Sequence, residues 1–386
     1  MLYVYVSDFD MRGGGYKEIG VATCTRLVER GAQVVALGLQ YKGDEHDCPF
    51  PIIPTNVTLA QVMIHNLLLV YKKIDALIVA LDIPLHEAFL AQPYRKDVKY
   101  VGIFPVEGDP ICMDWAALLW QMDVRLIISE FGRMEAEKVG IPAAHYPVAL
   151  EPALWPYPEE GLRAKIREGL GIAPDEFVVL TVGANQERKF LSRAMEAVAD
   201  LVYGKQVPDP VPHGLPVARN NVRYWMVTDL ESRVGWKLSD FALRLGLRDR
   251  MAFWQYGLPQ DKLRALMIAA DCMLLTSKAE GCCLPILEAM SCGTIVAATH
   301  CTAITEHLSE DRGVFIEPDY VMVDPWGNSR RYLAGREATA SALTRIYEMS
   351  ELEKNTMRLR ARQYVDSRDW NASVDILEKA IVGGEE

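Results

Sequence analysis

An α/β chain of two domains, each built on a parallel sheet, is what the sequence predicts, and three observations carry the prediction. Short β-rich runs alternate with segments of helical period along nearly the whole chain, the pattern of βαβ units. The chain has 386 residues, more than the roughly 250 to 300 at which one hydrophobic core stops growing. A Pro-rich break, EPALWPYP with Pro152, Pro156 and Pro158, separates two runs of that alternation.

In order, the first run offers YVYVS at 3–7, a glycine-rich turn, a helix to about Arg30, then QVVAL at 33–37, DALIVAL at 75–81, KYVGIF at 99–104 and VRLIIS at 124–129. The second restarts with FVVLTVG at 177, followed by RYWMVTDL at 223, RMAFWQY at 250, DCMLLTS at 271 and TIVAAT at 294. Between the first two of these, KQVPDPVPHGLPVARN from Lys205 reads as a surface loop, because its prolines exclude regular structure. Two Rossmann-like domains follow, 1–155 and 156–365. The segment 366–386 places Trp370, Val374, Leu377 and Ile381 at helical spacing, an amphipathic helix that must dock somewhere, and leaves only the terminal GGEE outside the pattern.

Composition narrows the function. With 50% apolar and 24% charged residues the chain is globular rather than disordered or coiled-coil. Its 41 Lys and Arg against 52 Asp and Glu give a net charge of −11, which disfavours nucleic acid as a partner. The eight cysteines, at 24, 48, 112, 272, 282, 283, 292 and 301, form no CxxC pair and no disulfide framework, which fits a reducing cytoplasm. No stretch approaches the roughly 18 apolar residues of a membrane span, so the expected protein is soluble or at most peripheral to a membrane. The seven histidines show no metal-ligand spacing: His46, His300 and His307 read as surface features. No GxSxG is present, so hydrolase chemistry has no foothold.

Four motifs carry chemistry. The first βα turn, SDFDMRGGGYKEIG, sets Gly13, Gly14 and Gly15 before a helix, where backbone N–H groups can approach a phosphate; the alternative is a turn that eases strand-to-helix packing. Glu18 stands where a dinucleotide fingerprint begun at Gly13 needs glycine, which disfavours an NAD dehydrogenase. Asp8 and Asp10 form a DxD, but without further hard-ligand neighbours they are not read as a metal site. In FVVLTVGANQERKFLSRAMEAVADL, Phe190, Leu191, Ala194, Met195 and Val198 give a helix its buried face, and Arg188 and Lys189 fall near its start. Cations there oppose the helix dipole unless an anionic ligand reverses the sign; otherwise they are solvated charges.

The strongest segment is SKAEGCCLPILEAMSCG. Pro285 suits a first helical position and sets the N–H groups of Cys282, Cys283 and Leu284 at a helix N-terminus, an anion site by construction. Glu280 and Glu288 can both reach the crevice beside it. Two acids flanking a phosphate cradle are consistent with hydrogen bonds to hydroxyl groups on either side, the layout of a nucleotide sugar; the alternative is a loop acid plus an acid in a first helical turn.

These residues resemble the retaining glycosyltransferases of family 4, the group 1 glycosyl transferases, over nearly the whole chain: the glycine loop, the N-x-x-R-K of Asn185, Arg188 and Lys189, VTDLESRVGWKLSDFALRLGL, and above all the spacing of Glu280 and Glu288. The resemblance implies the GT-B fold, two Rossmann-like βαβ domains facing each other across a cleft, with the C-terminal helix crossing back onto the N-terminal domain. It implies that Glu280 holds donor-sugar hydroxyls, that Gly281, Cys282, Cys283 and Leu284 bind the diphosphate, that Glu288 holds the ribose and that Arg188 and Lys189 neutralise the diphosphate. Asn185, Gly14 and Gly15 would complete the donor site. The chain departs from the family at Cys283, where glycine is usual, at Ala184, where many members carry arginine, and in FPVEGDP, where Glu107 and Asp109 stand in place of a histidine region. Glu107 reads as a donor- or acceptor-facing group or as an ordinary loop acid.

The resulting expectation is a retaining hexosyltransferase using a UDP- or GDP-linked sugar, with no metal and no other cofactor. The acceptor would be a glycan, lipid, protein or small molecule. The alternatives are a nucleotide-sugar 2-epimerase on the same fold and a catalytically idle protein that binds nucleotide sugars.

Overall fold

The computed structural model describes residues 1–10, 13–230 and 232–383. Met11 and Arg12 of the glycine turn, Glu231, and the last three residues of GGEE lie outside them. The chain divides into two compact units, one of Met1–Glu151, Asp324–Ser329 and Arg368–Glu386, the other of Pro152–Val323 and Arg330–Ser367.

The first unit is a seven-stranded sheet of β1 (Leu2–Asp8), β2 (Gln33–Leu39), β3 (Ile52–Thr55), β4 (Ala76–Ala80), β5 (Tyr100–Phe104), β6 (Val124–Ile127) and β7 (Ala144–His145), in the order β3-β2-β1-β4-β5-β6-β7. All its pairings are parallel. Buried on both faces, β1 and β4 read as continuous apolar runs instead of alternating ones, as a sheet covered by helices requires. One face carries the core of Val4, Val6, Leu77, Val79 and Phe104. The Val57–Tyr71 helix covers part of that core with Ala60 and Ile64, while Leu59, Val62, Leu69 and Val70 stay exposed on a helix that contains no charged residue.

The amphipathic C-terminal segment forms the Trp370–Val382 helix, which belongs to this first unit. Trp370 is buried with its ring 6.4 Å from that of Tyr146, Arg30 bridges Asp375 and Glu378 at 2.6 and 2.7 Å, and Lys99 donates to the Ile381 carbonyl at 2.6 Å. Trp326 also belongs to this unit and meets the Trp115 ring edge-on at 5.8 Å.

The second unit repeats the plan with six parallel strands, β8 (Phe177–Val182), β9 (Val222–Thr228), β10 (Met251–Gln255), β11 (Cys272–Leu275), β12 (Ile295–Thr299) and β13 (Val314–Ile316), ordered β10-β9-β8-β11-β12-β13. A two-stranded hairpin, β14 (Pro318–Asp324) and β15 (Ser329–Ala334), follows. The unit begins at Pro152 because Trp155 is buried in it, with its carbonyl accepting from Arg362 at 3.1 Å. The proline-rich stretch after Lys205 carries no helix or strand; Asp200 anchors it by accepting the Val207 N–H at 2.9 Å, and Arg336, held on Asp200 through two of its three nitrogens, donates to the Val207 carbonyl at 2.7 Å. Strand order reverses direction between β1 and β4 in one unit and between β8 and β11 in the other, which are the positions where open α/β sheets bind ligands.

Candidate functional site

The loops that leave β8 and β11 meet at the reversal point of the second sheet. After β8 the chain makes a single 3-10 turn, Glu187–Lys189, and Phe190 at φ 48° redirects it into the Leu191–Tyr203 helix. Phe190 therefore stands before the helix instead of on its buried face; Lys278 lies over its ring, 4.7 Å from the centroid, and Trp236 beside it at 6.5 Å. The turn aims Arg188 and Lys189 at the loop following β11, where Glu280 is buried.

Arg188 reaches one oxygen of Glu280 at 2.7 Å and the Ala279 carbonyl at 2.7 Å; Lys189 reaches the other oxygen at 2.5 Å. The aliphatic stem of Lys189 runs along Gly183, where an added Cβ would lie 3.6 Å from it. Burial alone would raise the Glu280 carboxyl pKa, but Arg188 and Lys189 overcome it and hold the group at about 2, ionised at any physiological pH. Each cation carries more N–H donors than Glu280 accepts from it.

Gly281, Cys282, Cys283 and Leu284 follow, all buried. The helix spans Leu284–Ser291, so it begins at Leu284 with Cys283 as its N-cap and Pro285 one position inside, not at the first position that the proline suggested. Cys283 sits at φ 68°, ψ 59°, the left-handed region that glycine favours. The chain thus keeps the turn expected of glycine while carrying a side chain there, at a strain on the order of 1 to 3 kcal/mol. Burial, then Glu280, push the Cys283 thiol well up, so it is a neutral group beside the ion pairs. Pro285 has no N–H and Ile286 donates to the Cys283 carbonyl at 3.0 Å, so an anion at this end of the helix would meet the N–H of Leu284 and those of the turn before it. Glu288 lies on the same helix, half-buried.

Asn185 is buried, and its amide clasps the main chain of Trp236: Nδ2 donates to the Trp236 carbonyl and Oδ1 accepts the Trp236 N–H, each at 2.9 Å. Gly235 must be glycine, since a Cβ would sit 2.3 Å from the Asn185 side chain. The side chain expected to complete a donor site thus fixes the 232–236 loop.

Gly14, Gly15 and Glu107 lie in the first unit. The helix after the glycine turn starts at Gly15, with Gly14 as N-cap, and a Cβ at Gly13 or Gly14 would meet nothing within 4 Å. Packing therefore does not require glycine at either position, whereas at Gly20 a Cβ would come within 2.8 Å of Phe9. At the reversal point of this sheet Tyr16 donates to Asp82 at 2.5 Å, and burial, then Asp82, raise its pKa well above the ordinary tyrosine value, with Glu107 a further cause. Asp8 accepts the Asp10 N–H at 2.8 Å and the Gln40 amide at 2.9 Å, so its carboxylate ties the turn to the residue that follows β2.

Among the described residues no group of three or more His, Cys, Asp or Glu is arranged to hold a metal ion, and no helix is long and apolar enough to cross a membrane. His307 corrects the surface reading of the histidines. It is fully buried, with Nε2 3.7 Å from the Cys282 sulfur and Nδ1 3.0 Å from the Tyr364 hydroxyl, partners too distant in sequence for any local pattern to reveal. Sequence reasoning also missed Thr302, whose hydroxyl accepts the Glu280 N–H at 2.9 Å.

Residues 163–322 match the family described as glycosyl transferases group 1. A stretch of 99 residues is 30% identical to one subunit of the phosphatidylinositol N-acetylglucosaminyltransferase of Arabidopsis thaliana, covering 26% of this chain and 22% of that protein, so about a fifth of the relative's length is spanned. Among solved structures, a sucrose-phosphate synthase from Thermosynechococcus elongatus aligns with a TM-score of 0.75 at 16% identity over 98% of both chains. HepE of Anabaena, solved in complex with UDP and glucose, aligns at 0.73 and 16% identity over 99% of both. The fold is GT-B.

Proposed function

We propose that this chain, whose residues 163–322 carry a glycosyl transferases group 1 domain, is a retaining glycosyltransferase that moves a hexose from a UDP- or GDP-linked sugar to an acceptor without a metal ion. The observation that carries the reading is the pair of cations, Arg188 and Lys189, held on a buried, ionised Glu280 next to the N-terminus of the Leu284–Ser291 helix. The UDP complex of HepE supports a UDP-linked donor.

In this reading the diphosphate lies against the turn of Gly281, Cys282, Cys283 and Leu284, and Glu280 and Glu288 accept hydrogen bonds from sugar and ribose hydroxyls. As the bond from the anomeric carbon to the diphosphate oxygen breaks, negative charge grows on the leaving group while the sugar takes on oxocarbenium character. Arg188, Lys189 and the helix N-terminus stabilise that growing charge, and they are in place before the reaction begins, so no reorganisation is needed. The acceptor hydroxyl attacks from the face the diphosphate leaves, which retains configuration, and its proton passes to the departing oxygen. Gly14, Gly15 and Glu107 in the first unit are read as contributing to substrate recognition.

Nucleotide release from UDP-, GDP- and ADP-sugars with EDTA present tests the reading. Wild-type protein is expected to release nucleotide from one donor class, and Lys189→Ala to lower turnover about a hundredfold or more, the usual cost of removing one preorganised donor. Wild-type turnover in that variant, or dependence on a divalent ion, would sink the assignment. Interconversion of the donor without an acceptor would assign a 2-epimerase, and binding without any turnover an idle binding protein.

A further inference from the structure

The segment that follows β12, residues 301–303, grips Glu280 by its main chain on both sides. Thr302 Oγ1 accepts the Glu280 N–H at 2.9 Å, and the Ala303 N–H donates to the Glu280 carbonyl at 3.3 Å. The same hydroxyl donates to the Cys301 sulfur at 3.9 Å, and the Cys301 thiol donates to the Ser277 carbonyl at 3.7 Å. Ser277 in turn hydrogen-bonds the Glu280 carboxylate. Burial pushes the Cys301 thiol up to about 12, so it stays protonated and keeps its donor role in this ring. The result is a closed loop of contacts from 277 to 280 and back through 301 and 302, all of it buried.

Thr302 takes part at φ 44°, in the left-handed region, where a β-branched residue is a genuine outlier. Glycine would relax the backbone there, but it has no oxygen to offer the Glu280 N–H. A strained conformation persists only where its surroundings over-determine it: the Thr302 carbonyl accepts from the Thr305 N–H at 3.2 Å and hydroxyl at 2.8 Å, which holds the backbone, while its own hydroxyl is left facing the Glu280 N–H.

We propose that Thr302 is a positioning residue for donor-sugar recognition: its hydroxyl fixes the main chain of Glu280, so that the carboxylate is presented to the sugar hydroxyls. The inference rests on the reading of Glu280 given above. It separates Thr302 from a residue that merely stabilises the fold, because its effect falls on the sugar and not on the diphosphate, which the turn of 281–284 and the two cations hold.

Calorimetric titration with UDP-glucose or GDP-mannose, whichever the wild-type protein binds, alongside the matching nucleoside diphosphate, tests it. Thr302→Val, which keeps the shape and loses the acceptor, is expected to weaken the sugar nucleotide about tenfold, the scale of one lost hydrogen bond, and the diphosphate less than twofold. Thr302→Ser is expected to restore the sugar nucleotide, while Thr302→Gly, despite its relaxed backbone, is expected to behave like the valine variant. Should Thr302→Val fail to fold, the serine and glycine variants carry the same comparison. Equal losses for both ligands, or wild-type affinity in the valine and glycine variants, would overturn the role of Thr302 alone. A Glu280→Gln variant that keeps the wild-type ratio of sugar-nucleotide to diphosphate affinity would instead remove the sugar-binding role of Glu280, and this inference with it.

Discussion

The two sheets reverse direction at equivalent places, yet they fill the crevice there with opposite chemistry. In the second unit it is spanned by Arg188 and Lys189 on Glu280. In the first it is spanned by Tyr16 on Asp82, with Asp8 and Asp10 at the end of β1 and Glu107 and Asp109 after β5. A cation pair can be shared with an incoming anion; a tyrosine held on an acid suits neutral hydroxyl groups or a positive group. One backbone plan therefore carries a cation pair on a buried acid in one unit and a tyrosine on an acid in the other, and the difference lies in a handful of loop side chains instead of in the strands.

The largest effect is expected where the second crevice is cut. Glu280→Gln leaves two partly buried cations without their acid, so urea denaturation should show a loss of about 3 kcal/mol, as for other broken buried ion pairs, together with loss of donor turnover. An unchanged denaturation midpoint would mean that Arg188 and Lys189 are solvated enough not to need it.

Acid should separate the units next. Buried His86 in the first unit, which contacts the Tyr100 hydroxyl at 2.9 Å and the Leu81 carbonyl at 3.0 Å, has its pKa lowered by burial from 6.5 to about 4. Its folded pKa lies below its unfolded one, so its contribution is intact above about pH 6.5 and is lost as pH falls toward 4, roughly 3 kcal/mol in all. Glu280 is depressed from 4.5 to about 2, so the second unit's contribution from it is intact above about 4.5 and fades only below that. Stability measured from pH 7 to 4 should thus fall steeply in wild type and more gently in His86→Gln; equal slopes would remove His86 as the cause.

The smallest effect is expected at the first crevice. Tyr16→Phe removes one hydrogen bond to Asp82 and should cost about 1 kcal/mol, with nucleoside diphosphate affinity unchanged. Loss of that affinity would show that the contrast between the crevices is drawn in the wrong place.

The long buried strands were legible because burial on both faces makes them continuous apolar runs, and the turn of 281–284 was legible because its residues are contiguous. β3, β7 and β13 were not, being short edge strands without a continuous buried run, and β14 was hidden because most of its side chains face solvent. Cys283 looked like a departure from the expected turn, yet its backbone adopts the conformation glycine would take, so side-chain identity misled where the dihedral did not. Asn185, His307 and Thr302 act through partners 51, 25 and 22 positions away, and no spacing rule reaches that far.

The Trp370–Val382 helix has a consequence for the order in which the protein can be completed. During synthesis, residues 1–151 emerge first but must wait for more than two hundred further residues before Trp370 can cover Tyr146 and before Asp375 and Glu378 can meet Arg30. The unit that begins first is therefore the last to be finished, and a nascent chain carries its unsealed face throughout translation of the second sheet.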